Sequence, residues 1–165
     1  MKNTELTLKN WVVFEYDYNT IHAQVAEIGE TLLCVIGDMQ YRLQAEDVFA
    51  ITVTDDDLIL NGFKFTKVTQ SLMDFSLTVR NKVNDGEAEE VTTISVRVKE
   101  DDTESFNICI DKRLEWGESI AQRKNILHFE RWGLLYVHEL QNYLRMAGLD
   151  DLADNFKMDY HLDNE

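Results

Sequence analysis

The stretch His138-Glu139-Leu140-Gln141-Asn142 is the nearest this chain comes to a catalytic motif. A zinc-peptidase helix sets two histidines one turn apart, so that both face one metal, and places a glutamate beside the first as base. Here Asn142 stands where the second histidine would be. An asparagine amide is a poor zinc ligand and one histidine cannot hold the ion, so His138 and Glu139 are expected to be structural. His22, His128 and His161 lie at no spacing that would complete a site. Glycine-rich phosphate loops, GxSxG elbows and cysteine–histidine nucleophile contexts are all missing from the sequence. Neither an enzyme nor a cofactor is therefore expected, and a metal-dependent hydrolase ranks last among the functions considered.

Carboxylates are the most abundant chemical groups. Asp and Glu number 31 against 16 Lys and Arg, for a formal net charge of −15. That sign repels phosphate backbones, so nucleic acid is not expected as a direct partner. The acids are densest in runs: Glu87, Glu89 and Glu90; Asp101, Asp102 and Glu104; then Asp150, Asp151 and Asp154. Such runs ordinarily form solvated turns that keep a protein soluble. The sharper expectation makes Glu87, Glu89, Glu90, Asp101, Asp102 and Glu104 a surface for a basic protein partner. A further one has them imitate nucleic-acid phosphates and block an enzyme that binds DNA or RNA. Aromatic residues offer a different surface. Trp11, Tyr16, Tyr18 and Tyr41 could cage a peptide or a methylated lysine, although aromatics at strand spacing are more often core.

Three adjacent aspartates at Asp55–Asp57 invite a calcium reading, but an EF-hand alternates its carboxylates and closes with a glutamate at the twelfth position. A helix start explains them better: Thr54 caps, Asp57 answers three residues on, Val53 staples onto Leu58, and Gly62 supplies the left-handed stop. Cys34 and Cys109 each lie in an apolar run, LLCVI and FNICI, and are expected to be buried free thiols.

The elements that must position these groups follow from hydrophobic period. Between Trp11 and Val53, short β-rich runs are punctuated by Gly29-Glu30 and Gly37-Asp38: WVVFEYDY, HAQVAEI, TLLCVI, MQYRL and FAITV. About five such strands suit an SH3-like small β-barrel. Three longer alternations follow, at Phe75–Val79, Ile94–Val98 and Phe106–Ile110, with turn-like Asn84-Asp85-Gly86 and Glu100–Thr103 between them, and predict an antiparallel meander. Trp132, Tyr136, Leu140, Tyr143, Leu144 and Ala147 recur at helical spacing, and this helix is expected to cover the meander. Gly148 ends it, and Asp150 caps a shorter helix carrying Leu152, Ala153 and Phe156. Residues 112–130 are less legible: Trp116-Gly117 suggests a turn and Asn125–Phe129 a strand.

The fold class expected is thus α+β, with a barrel subdomain at 1–54 and an α+β subdomain at 55–165 packed as one unit. No run reaches the roughly 20 apolar residues of a membrane-spanning helix, and the opening MKNTELTLKN lacks the apolar middle of a signal peptide. A cytoplasmic protein that does not engage membranes is expected.

The stretch YVHELQNYLRMAGLDDLADNFKM, Tyr136 to Met158, resembles a motif found in small, uncharacterised proteins of Bacteroidetes bacteria and their phages. In those proteins a barrel-like start precedes a segment similar to AITVTDDDLILNGFKF, Ala50 to Phe65, and the helix motif lies near the end. Some members carry histidine where this chain has Asn142. The resemblance implies an accessory protein of prophage or mobile-element kind, with no activity attached. Composition and resemblance together lead to the expectation of a non-catalytic, acidic protein-binding accessory protein.

Overall fold

A computed structural model describes residues 5–69, 72–83, 88–99, 105–117 and 119–158. It contains antiparallel β-sheets and a few helices, the α+β class expected. The chain forms two compact units: one from the described residues of Met1–Val53 and Leu135–Phe156, the other from those of Thr54–Leu134 and Lys157–Glu165.

In the first unit, β1 (Trp11–Tyr16), β2 (Asn19–Ile28), β3 (Leu32–Ile36) and β4 (Met39–Leu43) form one antiparallel sheet in chain order. Alternation places Val12, Phe14, Ala23, Val25, Leu32 and Cys34 on one face, all buried. With Leu6 and Val48 they make a single core cluster. The sheet curls strongly. Strands β1 and β4 are not neighbours in the order, and three strand spacings of about 4.8 Å would separate them in a flat sheet. Yet the Tyr41 ring lies 5.1 Å from Phe14 and 5.2 Å from Tyr16. After a short 3₁₀ turn at Ala45–Asp47, Phe49 exchanges backbone hydrogen bonds of 2.8 and 3.1 Å with Val13 on the outer edge of β1. The fifth expected strand, FAITV, is reduced to isolated bridges, Val13 to Phe49 and Thr52 to Tyr136. No closed barrel forms among the described residues.

Helix α2 (Val137–Met146) belongs to this same unit. Its entry is fixed by antiparallel bonds from Val53 N to Leu135 O and from Val137 N to Ile51 O, 2.9 and 2.8 Å. The helix was expected to begin near Trp132 and to lie on the meander. Trp132 instead ends a strand and is 72% exposed, and Gly133, at φ 99°, breaks the chain before the helix starts. The contacts that hold α2 run to residues 5–11 and to α3 (Asp150–Asp154). Gly148 at φ 73° ends α2 as expected, with Leu149 N bonded to Leu144 O and Gly148 N to Arg145 O. Leu149 rather than Asp150 takes the cap position of α3.

The second unit opens with α1 (Asp55–Leu60). Thr54 Oγ1 accepts from Asp57 N at 3.1 Å, and the Asp57 carboxylate accepts from Thr54 N at 3.0 Å, a complete capping box. Gly62 at φ 83° closes the helix, with Phe63 N bonded to Leu58 O. Five long strands follow as a meander in chain order: β5 (Lys64–Thr69), β6 (Leu72–Val83), β7 (Ala88–Lys99), β8 (Ser105–Trp116) and β9 (Ser119–Trp132). The three expected strands are its centre, while β5 and most of β9 are additions. Gly117 at φ 60° lies in the turn expected at Trp116-Gly117. The connections expected at Asn84-Asp85-Gly86 and Glu100–Thr103 lie outside the described residues.

Register sorts the meander into two faces. One carries the apolar rows Phe75, Val96, Ile108, Phe129 and Leu77, Ile94, Ile110, Leu127. Ile94, Ile108 and Ile110 are fully buried there, each worth roughly 1.5–3 kcal/mol. The other face carries the rows Asp74, Arg97, Asn107, Glu130 and Ser76, Ser95, Cys109, His128.

Candidate functional site

The sequence motif around His138 resolves into scaffolding. Glu139 reaches back to the Tyr136 backbone N–H at 3.2 Å, and His138 is buried and stacked on Tyr136 with ring centroids 6.0 Å apart. Gln141, fully buried, accepts from the Trp11 N–H at 3.0 Å and donates to Lys9 O at 3.0 Å and Ala153 O at 2.8 Å. Asn142 accepts from Thr7 Oγ1 at 2.8 Å and donates to Glu5 O at 3.2 Å. Arg145 and Lys9 both grip Asp154, at 3.0 and 2.7 Å. The Lys9 hydrogen bond first, then that of Arg145, holds the Asp154 carboxyl below its usual range. This net fastens residues 5–11 to the helix and keeps Lys9 at the left-handed φ of 63°. Among the described residues no group of three or more His, Cys, Asp and Glu side chains could hold a metal ion.

Of the acidic residues singled out for docking, Glu87, Asp101, Asp102 and Glu104 lie outside the described residues. Glu89 and Glu90 lie on β7 and are ion-paired, Glu89 with Arg80 at 2.9 Å and Glu90 with Lys112 at 2.8 Å. Glu89 stands directly opposite Glu115 on β8, where two carboxylates would repel. The Arg80 guanidinium bridges both at 2.9 Å, and Arg113 adds a second bond to Glu115. Hydrogen bonds from Arg113 and then Arg80 lower the Glu115 carboxyl from its ordinary value.

The aromatic candidates separate. Trp11 is tied down, its indole N–H donating to Phe156 O at 2.7 Å. Tyr16 and Tyr41 come together edge to face at one end of the first sheet, where both tight hairpin turns lie. Tyr41 donates its hydroxyl to Met39 Sδ at 3.4 Å, and Tyr16 and Met39 are about half exposed, at 50% and 55%. Tyr18 joins them fully exposed from the β1–β2 turn, whose two residues, Asp17 and Tyr18, have φ of 48° and 65°. A two-residue turn of this mirror-image kind prefers Asn or Asp followed by Gly. A tyrosine in the left-handed region costs about 1–2 kcal/mol, and nothing in the packing of Tyr18 offsets it. Residues 14–20 and 36–41 contain the carboxylates Glu15, Asp17 and Asp38 and no Lys or Arg. Strained, apolar and acidic features thus coincide at one rim.

The cysteines are free: Cys34 is buried in the first core, and desolvation pushes its thiol up to about 11. Cys109 is half-buried on the polar face of the meander, where its thiol lies 3.7 Å from Asp111 Oδ2 and its register partner is His128. The imidazole Nε2 of His128 in turn lies 2.9 Å from Asn107 Nδ2. Sequence spacing gave no hint of this juxtaposition, because it depends on strand register.

No family model, no curated protein and no solved structure matches the chain.

Proposed function

We propose that the chain is a non-catalytic protein-binding module whose first sheet acts as an SH3-like small barrel. Its tyrosine-bearing end takes a basic, extended peptide segment. The observation that supports this most is Tyr18, fully exposed on a turn whose backbone disfavours tyrosine, beside Tyr16, Tyr41 and Met39. Backbone strain that no packing requires is a signature of residues kept for contact. Tyrosine faces attract Lys and Arg cations, and Glu15, Asp17 and Asp38 set the sign of the local field. Docking through the acids of the meander, and nucleic-acid mimicry, draw less support, because Glu89 and Glu90 are already engaged by Arg80 and Lys112. The resemblance at Tyr136–Met158 adds an accessory role of bacterial or phage kind to the proposal.

Selection of a random peptide library on the full chain tests this. The enriched peptides should be rich in Lys and Arg, should shift the ring signals of Tyr16, Tyr18 and Tyr41, and should bind at least tenfold more weakly to Tyr16→Ser. Affinity should also fall as salt rises from about 0.05 to 0.5 M, where the Debye length contracts from roughly 14 to 4 Å. Peptides without basic residues, or shifts confined to other residues, would refute it.

A further inference from the structure

The polar face of the meander holds a second feature that the peptide-binding proposal does not use. An open cleft of about 230 Å³ is lined by Thr66, Asp74, Ser76, Ser95, Arg97 and Asn107, from four consecutive strands. Its polar lining comes mostly from β6, β7 and β8, which are interior strands of the sheet. On the same face the next row carries Thr78 opposite Thr93, with Asp111 across from Thr93 on β8. The cleft thus gathers short polar side chains and one ion pair from adjoining strands into a single concavity.

Charge decides what kind. Arg97 Nε and one terminal nitrogen bond the two oxygens of Asp74 at 2.6 and 3.0 Å, so the pair is mutually neutralised. The Asp74 hydrogen bond raises the Arg97 value further from titration. An anion entering the cleft would meet the Asp74 carboxylate, and a cation would meet the Arg97 guanidinium. What is left is mixed hydrogen-bonding capacity: the other terminal nitrogen of Arg97, the hydroxyls of Ser76 and Ser95 directly across from each other, and the Asn107 amide, itself steadied by His128 at 2.9 Å. Thr66 donates to Asp74 O at 2.9 Å, leaving its oxygen to accept. Groups that both donate and accept, at a neutral ion pair, match a ligand whose own groups do the same. The volume is below the roughly 300–1,000 Å³ of a drug-sized pocket and suits one small ring.

We infer that this cleft is a binding site for a neutral polyhydroxylated molecule of the size of one monosaccharide unit. Isotope-labelled full chain titrated with D-glucose, D-galactose, D-mannose and N-acetyl-D-glucosamine, each to about 50 mM, tests it, with inorganic phosphate as the charged probe. At least one sugar should shift the signals of Ser76, Ser95, Arg97 and Asn107 saturably, with Kd in the millimolar range that a few hydrogen bonds give. Ser95→Val, which suits a strand and fills the cleft, should weaken that sugar at least tenfold while the rest of the spectrum stays dispersed. Ser76→Val should do the same and serves if the first variant misfolds. Failure of all four sugars to shift these signals, equal shifts from phosphate, or wild-type affinity in a folded Val variant would overturn the inference.

Discussion

Gln141→Leu isolates what the buried amide contributes, because leucine nearly matches glutamine in volume and removes only its hydrogen bonds. Gln141 is fully buried and makes its closest bonds to Ala153 O, Lys9 O and the Trp11 N–H. Ala153 is fully buried, and without Gln141 its carbonyl keeps the longer bond from the Phe156 N–H at 3.4 Å, so this loss costs about 1 kcal/mol. Lys9 is exposed and Trp11 half-buried, so water can replace part of those two bonds and each adds about 0.5–1 kcal/mol. Leucine returns about 1 kcal/mol through better apolar burial. The net expectation is a loss of about 1–2 kcal/mol, or about 2–8 °C in Tm for a chain of this size. Urea unfolding followed by tryptophan fluorescence, with calorimetry alongside, measures it. Gln141→Glu sharpens the test: an ionised carboxylate keeps the bond from Trp11 but faces two carbonyls and cannot donate to either. That variant should be less stable than Gln141→Leu at pH 7 and should recover towards pH 4, as the buried carboxyl takes up a proton. A Gln141→Leu protein within about 0.5 kcal/mol of wild type, a difference typical of neutral surface changes, would refute the account of the helix motif as scaffolding.

Asp154→Asn should cost about 1 kcal/mol at pH 7 once solvent screening of the Lys9 pair is allowed for. Because the folded-state carboxyl titrates below its unfolded value, that contribution is present above about pH 4 and fades as pH falls through the lower folded value, so the gap between wild type and variant should narrow as the pH is lowered below about 4 in the same urea assay. Cys34, with its thiol pushed up to about 11, should be inert to a thiol reagent at pH 8, leaving Cys109 to give the single fast equivalent; a fast phase surviving in Cys109→Ser would contradict this. Tyr18→Gly should raise stability by about 1 kcal/mol, since glycine suits φ 65°, while weakening peptide capture; a variant that loses stability would remove the strain argument.

Local signals carried most of what was legible. The Thr54–Asp57 capping box and the glycine stops at Gly62 and Gly148 depend on neighbours three to five residues apart, so types and spacing alone specify them. The central strands announced themselves through alternation, because each has one buried face. β9 did not, since its run SIAQRKNILHFERW mixes charge and apolar residues on a strand paired on one side only, with register shifts near Asp111 and Glu115. Trp132 misled for the opposite reason: its spacing to Tyr136 and Leu140 is helical, but Gly133 turns the chain between them. The grouping of α2 with the first sheet was also hidden. It rests on Gln141, Asn142 and Arg145 bonding residues 5–11, which lie 130 or more positions earlier in the chain.

The same distinction separates the two proposed sites. Tyr16 and Tyr41 were candidates from composition, and curling of the sheet joined them while leaving Trp11 at the far end of β1. The cleft residues raised no signal in sequence, because Ser76, Ser95, Arg97 and Asn107 each read as the wet half of an alternating strand. Only register shows that the wet halves of four strands meet at one cleft. Farther along the same face, Thr78, Thr93 and Asp111 share one row, and Lys82 stands opposite Glu89. The proposed cleft rests on short hydroxyls and an amide gathered beside a fixed ion pair, and the proposed peptide rim on Tyr18 held against its backbone preference.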